Sequence, residues 1–292
     1  MIELRRVSKR YGRITVLDDV SFTACPGRVT ALIGRPGAGK SLVLRTAVGH
    51  VRPSRGSALV DGRPVLSLTK PAATLGAVLR TARVHENWSA RNYLGWIADL
   101  ANLPAGRVHD VLARVDLAYA QGDPVTSFST PMLHRLALAG ALLGDPRTLV
   151  VDEVDGFVRA SGDQWMCSIL RQLADDGRTV LVAARDLGSV VLVADDLVVV
   201  EDGRVVATHT VDDHLARTGT TSIRIASPEA WRLQEALHIR GVAAAREHDP
   251  ASPARAALVV AAGERRTVAA LADEIGVDLG EMSLAGVSAD TR

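Results

Sequence analysis

Apolar and polar positions follow two different spacings along the chain, and together these spacings predict an α/β protein. Short apolar stretches at residues 2–7, 20–24 and 28–33 are typical of strands. Apolar side chains at three- and four-residue intervals follow Gly39 and recur across residues 85–143, which predicts helices in those segments. The first part of the chain is therefore predicted to be rich in strands, and the next part to be mostly helical.

Two continuous apolar runs, residues 148–151 and 179–184, are typical of strands that are buried on both faces of a sheet. A helix that runs through Trp165, Ile169, Leu170 and Leu173 and ends at Gly177 is predicted between them. The Asp-Gly pairs at residues 61–62 and 202–203 stand between apolar stretches, and each predicts a hairpin turn. Since strands and helices alternate, we expect a mainly parallel sheet.

A change of pattern near residue 222 predicts a domain boundary. Residues 223–292 are predicted to fold as strand, helix, strand, helix, strand, which makes a small C-terminal α+β domain. The Ser227-Pro228 pair is a predicted helix start, and Thr267 is the predicted cap of the second helix. A strand is expected at residues 257–261, after a proline-rich turn.

Composition excludes several classes of protein. The chain has 292 residues and 47% hydrophobic residues, which excludes a disordered chain. Its 34 basic and 33 acidic residues give a net charge of +1, which argues against a general nucleic-acid binder. No apolar run approaches the roughly 18–20 residues that span a bilayer, and no signal peptide is expected. The only two cysteines, Cys25 and Cys167, predict neither a disulfide framework nor a cysteine-rich metal site, which fits a reducing cytoplasm.

The strongest chemical signal is the segment Gly-Arg-Pro-Gly-Ala-Gly-Lys-Ser at residues 34–41, which matches G-x-x-x-x-G-K-[ST] in full. A predicted strand precedes it and a predicted helix follows it, as a phosphate-binding loop requires. The Lys40 ammonium would contact the β- and γ-phosphates, and the Ser41 hydroxyl would bind Mg²⁺. An ordinary glycine-rich turn is the alternative. The predicted nucleotide-binding residues are Gly34, Arg35, Pro36, Gly37, Ala38, Gly39, Lys40, Ser41 and Leu42.

A second signal is the apolar strand at residues 148–151 that ends in Asp152-Glu153. Asp152 is predicted to hold Mg²⁺ through water, and Glu153 to polarise the attacking water as a general base. A solvated acid at a strand end is the alternative for Glu153. A GTPase would need an Asn-Lys-x-Asp motif, and none of the three lysines (Lys9, Lys40 and Lys70) lies in one, so ATP is favoured over GTP.

The order of these motifs, from residue 1 to about 215, resembles the ATP-binding subunits of ABC transporters. The likeness is greatest to the export type, which energises a separate membrane permease. It implies an ATP-binding domain at residues 1–222, with a phosphate-loop ATPase core, an N-terminal antiparallel β subdomain and a helical subdomain at about 85–143. The tail resembles the accessory domain of some drug-export subunits.

The resemblance also implies cofactors, partners and a location. The cofactors are ATP and Mg²⁺, with Tyr11 stacked on adenine, unless Tyr11 is a plain strand-end tyrosine. The partners are a permease and a second ATP-binding subunit, in a homodimer or a heterodimer, at the inner face of the cell membrane. Residues 88–94 resemble the helix start near the coupling helix of the permease, although simple packing by Trp88, Tyr93 and Trp96 is the alternative.

Four positions depart from the family pattern. The signature loop, which contacts the nucleotide of the opposite subunit, aligns with Ser129-Thr130-Pro131-Met132. Pro131 has no N–H to donate there, although proline suits the first turn of the following helix. Arg80 aligns with the family position that senses Mg²⁺. An arginine side chain cannot ligate a cation, because it has no acceptor atom. Arg159 aligns loosely with an expected aspartate, and Arg185 aligns with the switch histidine that contacts the γ-phosphate.

These departures leave three hypotheses open. The chain is a slowly hydrolysing exporter subunit in a homodimer, a partly degenerate subunit in a heterodimer, or an ATP-gated regulatory or adaptor protein without a transport role. For Arg80, Arg159 and Arg185, drift in an arginine-rich chain is the alternative to function. The sequence predicts no cargo, because specificity would belong to the permease.

Overall fold

A computed structural model describes residues 1–79, 88–152, 165–248, 256–277, 279 and 281–285. Its strands are β1 (Ile2–Tyr11), β2 (Ile14–Ala24), β3 (Arg28–Ile33), β4 (Arg55–Val60), β5 (Arg63–Pro64), β6 (Leu75–Val78), β7 (Thr148–Val151), β8 (Thr179–Ala184), β9 (Asp196–Glu201), β10 (Arg204–Thr210), β11 (Ser222–Ser227), β12 (Ala244–His248), β13 (Ala256–Ala261) and β14 (Glu281–Ala285). Its α-helices are α1 (Lys40–Ala47), α2 (Pro71–Thr74), α3 (Ala90–Leu100), α4 (Gly106–Arg114), α5 (Thr130–Leu142), α6 (Trp165–Asp175), α7 (Val211–Arg217), α8 (Ala230–Ile239) and α9 (Arg265–Ile275).

The central sheet is mainly parallel, as the alternation of strands and helices predicted. Its strand order is β10-β9-β3-β8-β7-β6, and only the β9–β10 pair is antiparallel. Every residue of β7 and β8 is buried, which explains why both segments are continuously apolar. Because β3, β7 and β8 are parallel neighbours, their carboxyl ends meet at one edge of the sheet.

A separate antiparallel sheet, in the order β2-β1-β4-β5, is formed by the N-terminal strands. Asp61 and Gly62 connect β4 to β5 with φ values of 49° and 75°, as the two-residue hairpin prediction requires. The side chains of Ile2 and Leu4 are buried in one cluster with Leu32 and Val150 of the central sheet. The antiparallel sheet therefore packs on one face of the parallel sheet.

The helices α3, α4 and α5 pack together, and α5 packs against the edge strand β6. Ser89 is the N-cap of α3, and its hydroxyl accepts a hydrogen bond from the Asn92 amide at 3.2 Å. Within the parts of the chain that the structure describes, no helix combines the length and the apolar character that crossing a bilayer requires.

The C-terminal unit, residues 222–285, contains an antiparallel sheet in the order β12-β13-β11-β14 together with α8 and α9. The predicted order of five elements was wrong by one strand, because β12 is also present. Its sequence, Ala-Ala-Arg-Glu-His, has no β-branched residue, and it is a strand because its backbone pairs with the edge of β13.

Both predicted helix starts in this unit were wrong by a few residues. Ser227 ends β11, and its hydroxyl accepts from the Glu229 amide at 3.1 Å, so that α8 begins at Ala230. Thr267 lies inside α9 rather than at its cap, because a 3₁₀ turn over Ala262–Glu264 leads directly into the helix at Arg265. Gly276, with φ 65°, ends α9 in the left-handed conformation.

Candidate functional site

The loop between β3 and α1 has a backbone that requires glycine at three positions. Gly34, Gly37 and Gly39 have φ values of 154°, 86° and 102°. A Cβ atom on Gly34 would lie 2.2 Å from the carbonyl oxygen of Val200 in β9. Gly39 is the N-cap of α1, so the loop leads directly into the amino end of a helix, where backbone N–H groups lack helical partners.

Lys40 and Ser41 begin α1 and are linked to other parts of the site. The Lys40 ammonium donates to the Gly34 carbonyl and, at 3.1 Å, to the Arg35 carbonyl, so it lies across the loop. The Ser41 hydroxyl donates to Oδ1 of Asp152 at 3.1 Å. Asp152 directly follows β7, is 3% exposed, and its amide donates to the Val78 carbonyl at 2.9 Å.

These residues fit a magnesium-bound nucleotide. The loop is a backbone cradle in which a Cβ on Gly34 or Gly39 would press against neighbouring atoms. The Lys40 ammonium supplies positive charge on the loop, and a hydroxyl beside a buried carboxylate is the oxygen set that Mg²⁺ takes beside phosphates.

Arg185 follows β8, and the sheet places it between the loop and Asp152. In the register of the central sheet, Ile33 lies opposite Ala184, and Val151 lies opposite Val182. The side chain of Arg185 is exposed at this edge. The alignment that assigned Arg185 to the γ-phosphate position is therefore compatible with where the strand ends.

Two further parts of the predicted site lie outside the central sheet. Tyr11 belongs to β1, and residues 129–132 lie at the start of α5. Tyr11 ends β1, is 52% exposed, and has the Lys9 ammonium 5.0 Å from its ring centroid. Ser129 is the N-cap of α5, and its hydroxyl accepts from the Met132 amide at 3.4 Å. Pro131 lies in the first turn of α5, where a missing N–H removes no helical hydrogen bond. Arg80, Glu153 and Arg159 lie outside the described residues.

The hairpin between β9 and β10 contacts and supports the phosphate loop. The sequence analysis did not predict this contact. The Gly203 amide donates to the Ala38 carbonyl at 3.0 Å, and the Asp18 amide donates to the Gly203 carbonyl at 2.9 Å. A Cβ on Gly203 would lie 2.0 Å from the Val16 carbonyl oxygen. The Asp-Gly signal predicted the hairpin itself, but not that its glycine contacts the phosphate loop.

The glycines of the loop give a matched stability test. Gly34→Ala places a Cβ against the Val200 carbonyl, so β9 must move, whereas Gly37→Ala meets nothing within 4 Å. We expect Gly37→Ala to cost about 1–2 kcal/mol of unfolding free energy from its positive φ alone. Gly34→Ala should cost more than about 3 kcal/mol. Urea unfolding of both variants measures the difference, and equal costs would contradict the close packing of the loop on β9.

The fold and the site define a phosphate-loop nucleotide-binding protein. The sequence profile of the ABC transporter family matches residues 17–155. The chain is 36% identical over 216 residues to the aliphatic sulfonates import ATP-binding protein SsuB of Mycobacterium avium, covering 72% of this chain and 81% of that protein. It is 31% identical over 234 residues to the daunorubicin resistance ATP-binding protein DrrA3 of Streptomyces coeruleorubidus, covering 78% and 74%.

A solved structure supports the same fold. The dimeric ATP-binding cassette MJ0796, bound to ADP and Pi, superposes with a TM-score of 0.64 at 19% identity, covering 72% of this chain and 99% of that one. The chain belongs to the ATP-binding proteins of ABC transporters. It is an ABC-type ATPase that uses ATP with Mg²⁺.

Proposed function

We propose that this chain energises export by a separate membrane permease, from the cytoplasmic face of the membrane. The relatives include an importer subunit as well as a drug-resistance protein, so the family alone does not decide the direction. Export is supported by the 234-residue match to the daunorubicin resistance protein and by the α+β unit that follows the ATPase core.

The roles that we propose for the site residues follow from the geometry of the site. The observation that supports them most directly is the Ser41–Asp152 hydrogen bond at 3.1 Å, because it joins α1 to the end of β7. The amides of residues 34–41 and the Lys40 ammonium hold the triphosphate. Ser41 and Asp152 hold Mg²⁺, which neutralises charge on the phosphate oxygens when bound.

The remaining proposed roles are stacking on adenine, activation of the attacking water and contact with the γ-phosphate. Tyr11 stacks on adenine, which its exposed ring at the end of β1 permits. Glu153 takes a proton from the water that attacks the γ-phosphate in line. Arg185 contacts the γ-phosphate as a fixed cation in the place of a histidine, and the binding of ATP closes a pair of subunits around the nucleotides.

The groove between α3, α5 and β6 is the proposed docking place of the permease. It has a volume of about 220 Å³, and Tyr93 and Ile97 line it from α3. Trp96 lies on the same helix α3, and its ring makes an edge-to-face contact with that of Trp88, with ring centroids 5.7 Å apart. Nearly half of the Trp96 side chain is exposed, which leaves apolar surface for a partner.

Purification tests the direction of transport. The chain is purified with the membrane fraction under mild detergent, the co-eluting permease is identified, and the complex is reconstituted in inside-out vesicles. With ATP outside, an exporter loads compounds from a cell extract into the vesicle lumen, which mass spectrometry of the lumen detects. Loading that requires ATP inside the vesicles would contradict export. A co-eluting second ATP-binding subunit would establish a heterodimer.

Slow hydrolysis is proposed for the purified chain alone, and a double replacement tests it. Pro131→Gly restores an N–H in the first turn of α5, and Arg185→His restores the switch residue. Each regained charge-assisted hydrogen bond to phosphate is worth about 1.5–3 kcal/mol. We therefore expect the double variant to raise the ATP turnover at least about tenfold. The matched control is Pro104→Gly with Arg217→His, which changes the same residue types elsewhere. Brisk turnover by the unmodified chain would refute the proposal.

A further inference from the structure

A buried arginine joins the C-terminal unit to the ATPase core. Arg265, the first residue of α9, is 2% exposed. Its Nη1 donates to the carbonyls of Val191 at 3.1 Å and Ala194 at 2.8 Å, and its Nε donates to Oδ1 of Asp212 at 2.8 Å. Because a buried guanidinium is costly unless its donors are met, these contacts fix the relative position of α9 and the segment that holds Val191 and Ala194.

A buried carboxylate extends this connection to the strand that carries the phosphate loop. Asp195 is 2% exposed, and its Oδ2 accepts from the Val29 amide of β3 and from Nη1 of Arg171, both at 2.8 Å. Its Oδ1 accepts from Nη2 of Arg266, the second residue of α9. One carboxylate therefore contacts β3, α6 and the C-terminal unit.

The segment held by these contacts begins at the candidate site. Residues 185–195 lead from the end of β8, where Arg185 is exposed, to the start of β9. Arg265 holds the far end of this segment, and the near end lies against β14. A Cβ on Gly188 would come 3.1 Å from the Met282 carbonyl oxygen. The C-terminal unit thus contacts the segment at both ends.

Apolar side chains of the segment and of the C-terminal unit also belong to one buried cluster. Leu187, Val190 and Val191 of the segment are buried in one cluster with Ile223 and Val268 of the C-terminal unit. A shift of α9 would therefore move the segment as a packed body, because such cores deform in discrete steps rather than continuously.

We propose that Arg265 is a positioning residue for ATP hydrolysis: it holds residues 186–195 and thereby the place of Arg185 at the site. The C-terminal unit would then set the rate of the chemical step without touching the nucleotide. This inference rests on the proposed contact between Arg185 and the γ-phosphate. A purely structural role for Arg265 would affect unfolding alone.

The first test compares the single-turnover rate of MgATP hydrolysis between variants of the full chain. The enzyme is in excess over MgATP, so that a slow rate is still recorded. We expect Arg265→Met to slow hydrolysis at least tenfold while the affinity for MgATP stays within twofold, and Arg265→Lys to recover part of the rate. The control is Arg240→Met, which removes the exposed pair of Arg240 with Glu274, at 3.1 Å, in the same unit. A lower melting temperature with an unchanged rate for Arg265→Met would overturn the proposal.

The second test asks whether Arg265 acts through Arg185. In an Arg185→Ala chain, Arg265→Met should slow hydrolysis by less than twofold further, and full additivity would overturn the proposal. If Arg185→Ala alone leaves the rate unchanged, the proposed role of Arg185 fails. If Arg185→Ala slows hydrolysis and Arg265→Met does not, only the positioning role of Arg265 fails.

Should Arg265→Met not fold, Gly188→Val displaces the same segment from β14. It should slow hydrolysis with unchanged MgATP affinity, and an unchanged rate would overturn the proposal.

Discussion

Replacing Lys40 with alanine should lower the affinity for MgATP at least about a hundredfold, because the lost interactions are charge-assisted bonds to phosphate worth about 1.5–3 kcal/mol each. The Lys40 ammonium lies across the loop, within hydrogen-bond reach of the Gly34 and Arg35 carbonyls. Alanine retains the helical conformation at the start of α1, so the backbone cradle is expected to persist. Equilibrium binding of a fluorescent ATP analogue at low ionic strength measures the loss.

The chain offers a matched control, because lysine is rare in it. Lys70 is exposed and precedes the short helix α2, so Lys70→Ala removes the same charge at a distance from the phosphate loop. Its affinity should stay within twofold of the unmodified chain. Thermal unfolding of both variants separates lost binding from lost fold. Undiminished affinity in a folded Lys40→Ala chain would refute the assignment of residues 34–41 as the phosphate cradle.

The parts of the fold that were predictable are specified locally. The apolar runs of β7 and β8 require burial on both faces, and the Asp-Gly pairs at residues 61–62 and 202–203 set two-residue turns. The phosphate loop is specified by glycines whose positive φ values no other residue adopts at low cost. In each case the residues that determine the structure are neighbours in the sequence.

The contacts that the sequence did not reveal join residues that are distant in the chain. Gly203 supports Ala38, and Arg265 and Arg266 bind Asp212 and Asp195, which are 53 and 71 residues away. In a chain that uses arginine at nearly all basic positions, nothing in the pattern distinguishes a buried Arg265 from the solvated ones. The boundary near residue 222, the extent of the helical subdomain and the roles of the site residues stay predictions.

The loss of Glu153 should have the largest effect on the chemical step. Asp152 is fixed at the end of β7 by the hydrogen bond from its amide to the Val78 carbonyl and by the hydrogen bond from the Ser41 hydroxyl, and Glu153 directly follows it in the sequence. Glutamine keeps the volume of glutamate but cannot accept a proton from water. Because general base catalysis contributes roughly 10²–10⁴-fold, we expect Glu153→Gln to slow phosphate release at least about a hundredfold.

The same variant should retain ATP rather than lose it, because the residues that bind phosphate and Mg²⁺ are unchanged. Rapid filtration with labelled ATP should recover intact ATP on the Glu153→Gln chain, and phosphate release should be measured on the same samples. Asp155→Asn, which neutralises a carboxylate two residues further along, is the control and should release phosphate at the unmodified rate. If Glu153→Gln released phosphate as fast as that control, Glu153 would not be the general base, and water activation would have to come from another group.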